Sequence, residues 1–102
     1  MVIGGQVEGA RTPDRLLFRD IRFVAPSLEE RRWRPPGPVM SWPGVRSATR
    51  EASACLQNDC SWNHHDHVTA GEDCLTVDVG TSSLAGRRPV LVWIHGGSNR
   101  AG

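Results

Sequence analysis

No stretch of this chain is apolar for long enough to cross a bilayer. The longest such run, Val90 to Ile94, is five residues, against the roughly 18 that a span requires. A charge excess is also missing: 12 basic and 11 acidic residues leave a net charge of +1, too little to concentrate nucleic acid or an anionic membrane on the surface. Neither is expected as a partner. Met1 is not followed by a charged and then apolar export segment, and Val2-Ile3-Gly4 already reads as folded sequence, so nothing targets or anchors the chain. An even set of cysteines is lacking as well. With Cys55, Cys60 and Cys74, any intramolecular pairing leaves one thiol over. At 102 residues the chain is at most one domain, 1–102, with a small core.

What is present is organised around the last fourteen residues, Pro89 to Gly102. Val90-Leu91-Val92-Trp93-Ile94 is β-branched and aromatic without polar alternation, the pattern of a strand covered on both faces in the middle of a parallel sheet. It ends in His95-Gly96-Gly97. Paired glycines reach backbone conformations closed to other residues and let successive N–H groups converge on one point, where they can hold developing negative charge.

Upstream, Gln6-Val7-Glu8, Leu16-Leu17-Phe18 and Ile21-Arg22-Phe23 read as short antiparallel strands around an Arg11-Thr12-Pro13-Asp14 turn. Arg34-Pro35-Pro36-Gly37-Pro38 is a stiff connector, since proline removes a donor and fixes φ. Trp42 is expected to cover the edge of the core, and Val45 to Ser53 to form a short helical turn with Arg46, Arg50 and Glu51 on its wet side. Between Cys55 and Cys74 lies a polar segment holding Cys60, His64, His65, Asp66 and His67. Zinc takes such ligands, but adjacent imidazoles project differently and the spacing fits no closed zinc pattern. A solvated surface loop is expected there and no metal. Leu75-Thr76-Val77-Asp78-Val79 alternates with period two, as a strand with one buried face does. The connection from it to Val90–Ile94 is short enough for an antiparallel hairpin.

Five motifs stand in an order that resembles the type-B carboxylesterases. Phe18 to Pro38 is similar to the early strand and Pro-Pro segment of that family, with Asp20-Ile21-Arg22-Phe23-Val24-Ala25 where the family has Gly-Ile-Pro-Tyr-Ala. Trp42 to Thr49 resembles its Trp-x-Gly-Val-x-x-Ala-Thr, Ala54-Cys55-Leu56-Gln57 its Ala-Cys-Pro-Gln, and Glu72-Asp73-Cys74-Leu75 its Glu-Asp-Cys-Leu. Pro89 to Gly97 matches its Pro-Val-x-Val-Trp-Ile-His-Gly-Gly.

The resemblance implies an α/β fold, here the amino-terminal portion of an α/β-hydrolase: mostly strands and loops, a small amino-terminal sheet plus the first central strands. It implies a disulfide between Cys55 and Cys74, with their Cα atoms within bonding range. It also assigns the backbone of Gly97 and Ser98 to an oxyanion hole, with Gly96 and His95 supporting the loop. Relatives usually carry a third glycine where Ser98 stands. Hydrolysis by this family further needs a serine on a Gly-x-Ser-x-Gly elbow, an acid and a histidine base, and none is found: the nearest match, Gly96-Gly97-Ser98-Asn99-Arg100, fails at its fifth position. The implied protein is a serine esterase acting on a small-molecule ester without a cofactor, in which this chain partners the remainder of the hydrolase and is inactive alone. The alternative is a piece of a non-catalytic cholinesterase-like binding or adhesion module. Export, as in secreted relatives, stays open.

Overall fold

The computed structural model describes residues 2–102. Met1, from which the start of the chain was read, lies outside them. The strands are β1 (Gln6–Glu8), β2 (Ala10–Arg11), β3 (Leu16–Arg22), β4 (Val45–Ser47) and β5 (Thr76–Thr81), with one helix, α1 (His64–Thr69), and a 3-10 turn at Glu29–Arg31. β2, β3 and β5 form an antiparallel sheet with β3 in the middle, and β1 pairs with β4 in a second sheet that is parallel.

The turn expected at Arg11–Asp14 joins β2 to β3. Thr12 fastens it, its Oγ1 donating to Asp14 Oδ1 at 2.7 Å and its N–H to the Arg15 carbonyl at 2.8 Å. Leu16 to Phe18 and Ile21-Arg22 are parts of one strand rather than two, because a bulge between Phe18 and Ile21 keeps both halves paired to β5. Asp20 sits in that bulge at φ 56°. The left-handed conformation costs a non-glycine residue about 1–2 kcal/mol. Its N–H is met by Asp78 Oδ1 at 3.1 Å and its carboxylate by Arg46 Nη2 at 3.2 Å. This is the position at which the motif carries glycine.

The backbone of one residue bridges the two sheets. Ala48, 2% exposed, donates its N–H to Glu8 O at 2.7 Å and accepts from Arg19 N–H at 2.8 Å. Trp42 lies across Gly4 and Gly5 and donates its indole N–H to Gln6 O at 3.0 Å, which places it over the start of β1. A Cβ on Gly4 would stand 1.9 Å from the ring, which is why that residue has no side chain.

Several expectations are corrected. Val45 to Ser53 contains no helix. Gly44, at φ 69°, turns the chain into β4, and Val45–Ser47 finds its backbone partners on β1 instead of within a helical turn. Arg46 is not on a wet side: it is half-buried, bonded to Asp20 and stacked 5.7 Å from the centroid of Trp42, a cation–π arrangement. The polar segment before Cys74 contains α1, six residues with none buried. β5 does not bury one face, because no layer among the described residues covers it; Val77 and Val79 are 45% and 42% exposed.

Val90–Ile94 forms no strand and no hairpin with β5, and its residues are 75–92% exposed. A continuous apolar run becomes a central strand only with strands on both edges and layers on both faces. Two small sheets place neither beside it. The buried apolar side chains among the described residues are Ala25, Ala48 and Ala101, so polar ties hold much of the fold.

Among these ties, Arg22 and Asp73 are joined at two points. The guanidinium grips the carboxylate through both Nε, at 3.0 Å, and Nη2, and the two side chains are 26% and 38% exposed. Hydrogen bonding from Arg22 holds the Asp73 carboxyl below the usual range. A carboxyl depressed in the folded state binds its proton more readily when unfolded. Its contribution to stability is therefore complete above the ordinary carboxylate pKa, near 4, and lost as pH falls through the folded value. Asp73→Asn is expected to lower stability at pH 7 and to flatten the stability–pH curve below about pH 4. Denaturant melts at pH 7, 5, 4 and 3 would refute this if the variant kept the parent's acid slope.

Candidate functional site

Cys55 and Cys74 are disulfide-bonded, with Cα atoms 5.1 Å apart. Cys60 is the free cysteine among the described residues. The bond lays residues 54–57 against the approach to β5, and the Gly71 N–H donates to Ala54 O at 2.8 Å beside it. A cross-link closing a loop of sequence separation 19 is worth about 3 kcal/mol in the chain-entropy picture.

Inside that loop, Asn63 is the only fully buried large side chain, at 2% exposure. Its Nδ2 donates to Gln57 Oε1 at 2.7 Å and Asn58 O at 2.9 Å, and its Oδ1 accepts from Cys60 N–H at 2.7 Å. Full pairing is what makes burial of an amide tolerable. The imidazoles of the loop are dispersed. His64 Nδ1 pairs with Asp59 Oδ2 at 2.7 Å, and that contact pulls the exposed Asp59 carboxyl below its ordinary range. His67 Nδ1–H donates to Gln57 O at 2.9 Å. His65 and Asp66 face a different space. Among the described residues no three His, Cys, Asp or Glu side chains converge as metal ligands.

The glycine loop lies against this unit. Gly97 adopts φ 120°, and Ser98 and Asn99 adopt φ 55° and 56°. The Gly97 carbonyl accepts from Arg100 N–H at 3.0 Å and Ala101 N–H at 3.3 Å. Two successive left-handed residues under such a bond have the φ signs of a type I′ turn. Asparagine tolerates that conformation well and serine less so. Among the described residues, the N–H groups of Gly97, Ser98 and Asn99 donate no hydrogen bond. A Cβ at Gly97 would stand 1.5 Å from Ala101 O, whereas one at Gly96 would meet nothing within 4 Å. His95 Nδ1–H donates to Gly96 O at 2.8 Å, which holds the ring at the loop's base.

Of the residues singled out from sequence, Gly97 and Ser98 belong to this turn, and His95 and Gly96 are the extended residues that lead into it. A cleft of about 310 Å³ beside the turn is lined by His95 and by Asn99 to Gly102 together with Cys55, Gln57 and Cys74, while Gly96, Gly97 and Ser98 do not line it. A larger open cleft of about 700 Å³ adjoins it, lined by Arg19, Glu51, His65, Asp66, Asp78 and His95 among others. Sequence reasoning missed Gln57 and Asn63. In sequence Gln57 is one letter of the Ala54-Cys55-Leu56-Gln57 motif, and its signal is an amide two residues from a bridging cysteine.

Solved structures share this arrangement of strands and loops. A thermophilic PNB esterase superposes with a TM-score of 0.87 at 29% identity, covering 97% of this chain and 21% of its own. A carboxylesterase of Geobacillus stearothermophilus gives 0.81 at 30% identity, covering 94% and 19%. The fold is therefore that of part of an α/β-hydrolase esterase. Sequence relatives agree: a fumonisin B1 esterase of Sphingopyxis macrogoltabida is 34% identical over 96% of this chain and 18% of its own length. Carboxylesterase 3 of Homo sapiens is 35% identical over 94% and 19%. The profile of the carboxylesterase family matches residues 1–102, and the chain belongs to that family. It spans about a fifth of the length of these relatives. Among the described residues no helix is long and apolar enough to cross a membrane.

The contrast between the two glycines yields a test within the chain itself. Gly97→Ala forces Ala101 aside and is expected to speed amide exchange at Arg100 and Ala101, whereas Gly96→Ala leaves it unchanged. Millisecond-mixing hydrogen exchange read by mass spectrometry decides; equal effects of the two substitutions would show that the turn does not depend on the close approach at Gly97.

Proposed function

We propose that this chain supplies the oxyanion-hole loop of a carboxylic-ester hydrolase. In this reading the N–H groups of Gly97 and Ser98, joined by one from the residue after a serine nucleophile, receive the oxyanion of the tetrahedral intermediate. His95 and Gly96 hold the loop's base. The observation that carries the reading is the turn itself: consecutive N–H groups without partners among the described residues, on a loop whose carbonyl at Gly97 is turned inward to Arg100 and Ala101. Donors fixed before charge develops need no reorganisation during the reaction, and each is worth about 3 to 4 kcal/mol in a complete site.

The substrate class is a small-molecule ester, and the partner is the remainder of a hydrolase bearing the nucleophile, acid and base. A donor pair without a nucleophile has nothing to stabilise. The exposed Val90–Ile94 run supports the same reading, because it has the pattern of a strand made for neighbours that these residues do not supply. The reading as a non-catalytic module predicts instead that a protein carrying this chain has no serine in its elbow.

The purified chain is expected to show no hydrolysis of an activated aryl ester above buffer; turnover abolished by Ser98→Ala would make the Ser98 hydroxyl catalytic and overturn the assignment. The donor role is tested in a chimera in which residues 1–102 replace the matching span of the thermophilic PNB esterase. Gly97→Val is expected to lower kcat about 100-fold, the scale of losing one donor. Ser98→Ala should cost little, since only its N–H is used. If Ser98→Ala proves the more damaging, the backbone assignment is wrong.

A further inference from the structure

The end of the glycine turn is held by one side chain from the disulfide loop, and that side chain has no hydrogen-bonding capacity left over. Gln57 Oε1 accepts from Gly102 N–H at 3.1 Å and from Asn63 Nδ2 at 2.7 Å. Its Nε2 donates to Gly102 O at 3.2 Å and to Cys55 O at 3.1 Å. Two acceptor sites and two N–H groups are the whole inventory of a primary amide. The orientation of the amide is fixed as well. Asn63 Nδ2 can only donate, so the atom of Gln57 that faces it must be the oxygen, and the Nε2 group is then turned to the two carbonyls.

Asn63 is itself locked, being buried and fully paired within the loop. His67 adds a bond to the Gln57 carbonyl at 2.9 Å. Gln57 thus reaches Gly102 from a base fixed at three points: the disulfide two residues away, Asn63, and α1 through His67. Gly102 is held at two points, through the N–H of the Ala101–Gly102 peptide and through its own carboxyl oxygen. Next to it, Ala101 is 8% exposed and bonded back to Gly97. A displacement at Gly102 therefore passes through one buried residue to the turn that carries the Gly97 and Ser98 N–H groups.

We propose that Gln57 is a positioning residue that clamps the Gly97–Gly102 turn to the Cys55–Cys74 loop and so aims the Gly97 and Ser98 donors. Its catalytic consequence rests on the oxyanion reading above; the clamp does not. No contact between Gln57 and substrate is required, since misplacement of about 1 Å in a donor constellation is enough to cost rate.

Two measurements separate the clamp from the oxyanion reading. In the chain itself, Gln57→Ala is expected to raise amide exchange at Arg100, Ala101 and Gly102 by about tenfold or more, with β3 and β5 still protected. Unchanged exchange there overturns the clamp whatever the activity. If Gln57→Ala loosens the whole chain, Gln57→Glu decides, because it keeps the acceptor for Gly102 N–H and Asn63 but turns a carboxylate oxygen toward Gly102 O and Cys55 O, breaking that side of the clamp alone. Loosening confined to residues 100–102 upholds the clamp, whereas global loosening again makes Gln57 a folding residue and overturns it.

In the chimera, Gln57→Ala should lower kcat by about tenfold with KM little changed, and Gln57→Glu should recover part of the loss. Faster exchange with kcat unchanged overturns the positioning role while leaving the clamp. If Gly97→Val is equally silent there, it is the oxyanion reading that has failed.

Discussion

The fold depends first on a covalent closure. Without the bond between Cys55 and Cys74, nothing apolar holds residues 54–57 beside the entry to β5, because the buried apolar side chains among the described residues are three alanines. With it, a short polar loop becomes a platform: Asn63 has a dry site to fill, α1 has a base, and Gln57 faces the glycine turn. Asp73 precedes the second cysteine and ties the same corner to β3 through Arg22. Two cross-links of different chemistry thus meet within two residues. With so little apolar surface buried among the described residues, stability is drawn from such ties.

Much of the sheet was legible in the sequence because it rests on local signals. β5 announces itself by alternation and by β-branched residues, β3 by its apolar Leu16-Leu17-Phe18 and Ile21 after a turn, and the Thr12–Asp14 turn by its side-chain bonding to the backbone. The disulfide came only through resemblance, since three cysteines leave every pairing open. What failed were readings that depend on neighbours. Val45–Ser47 has enough helix formers around it to suggest a turn, yet β1 offered a ladder and the backbone took it. Val90–Ile94 has the pattern of a central strand, a statement about what should surround it, and the surroundings are missing.

The candidate site was legible in part and for the same reason. Paired glycines after an apolar run mark a loop with special backbone geometry, and the turn at Gly97 has it. The side chain that holds the turn was not visible, because a glutamine engaged through four bonds looks in sequence like any polar surface residue. Only the placement of Gly102 and Asn63 on either side of its amide distinguishes it.

Asp20 shows how such a fold can be constrained in its history. A left-handed bulge suits glycine, and here an aspartate occupies it with Arg46 on its carboxylate and Asp78 on its N–H. The order in which these positions can change is then not free. A chain with glycine at the bulge can gain or lose the arginine with little effect on the bulge. Once aspartate is in place, losing Arg46 leaves a carboxylate beside that of Asp78 with its partner gone, in a backbone conformation it does not favour. The pair therefore changes in a fixed order: aspartate is entered with the arginine already present, and the arginine is lost only after glycine is restored.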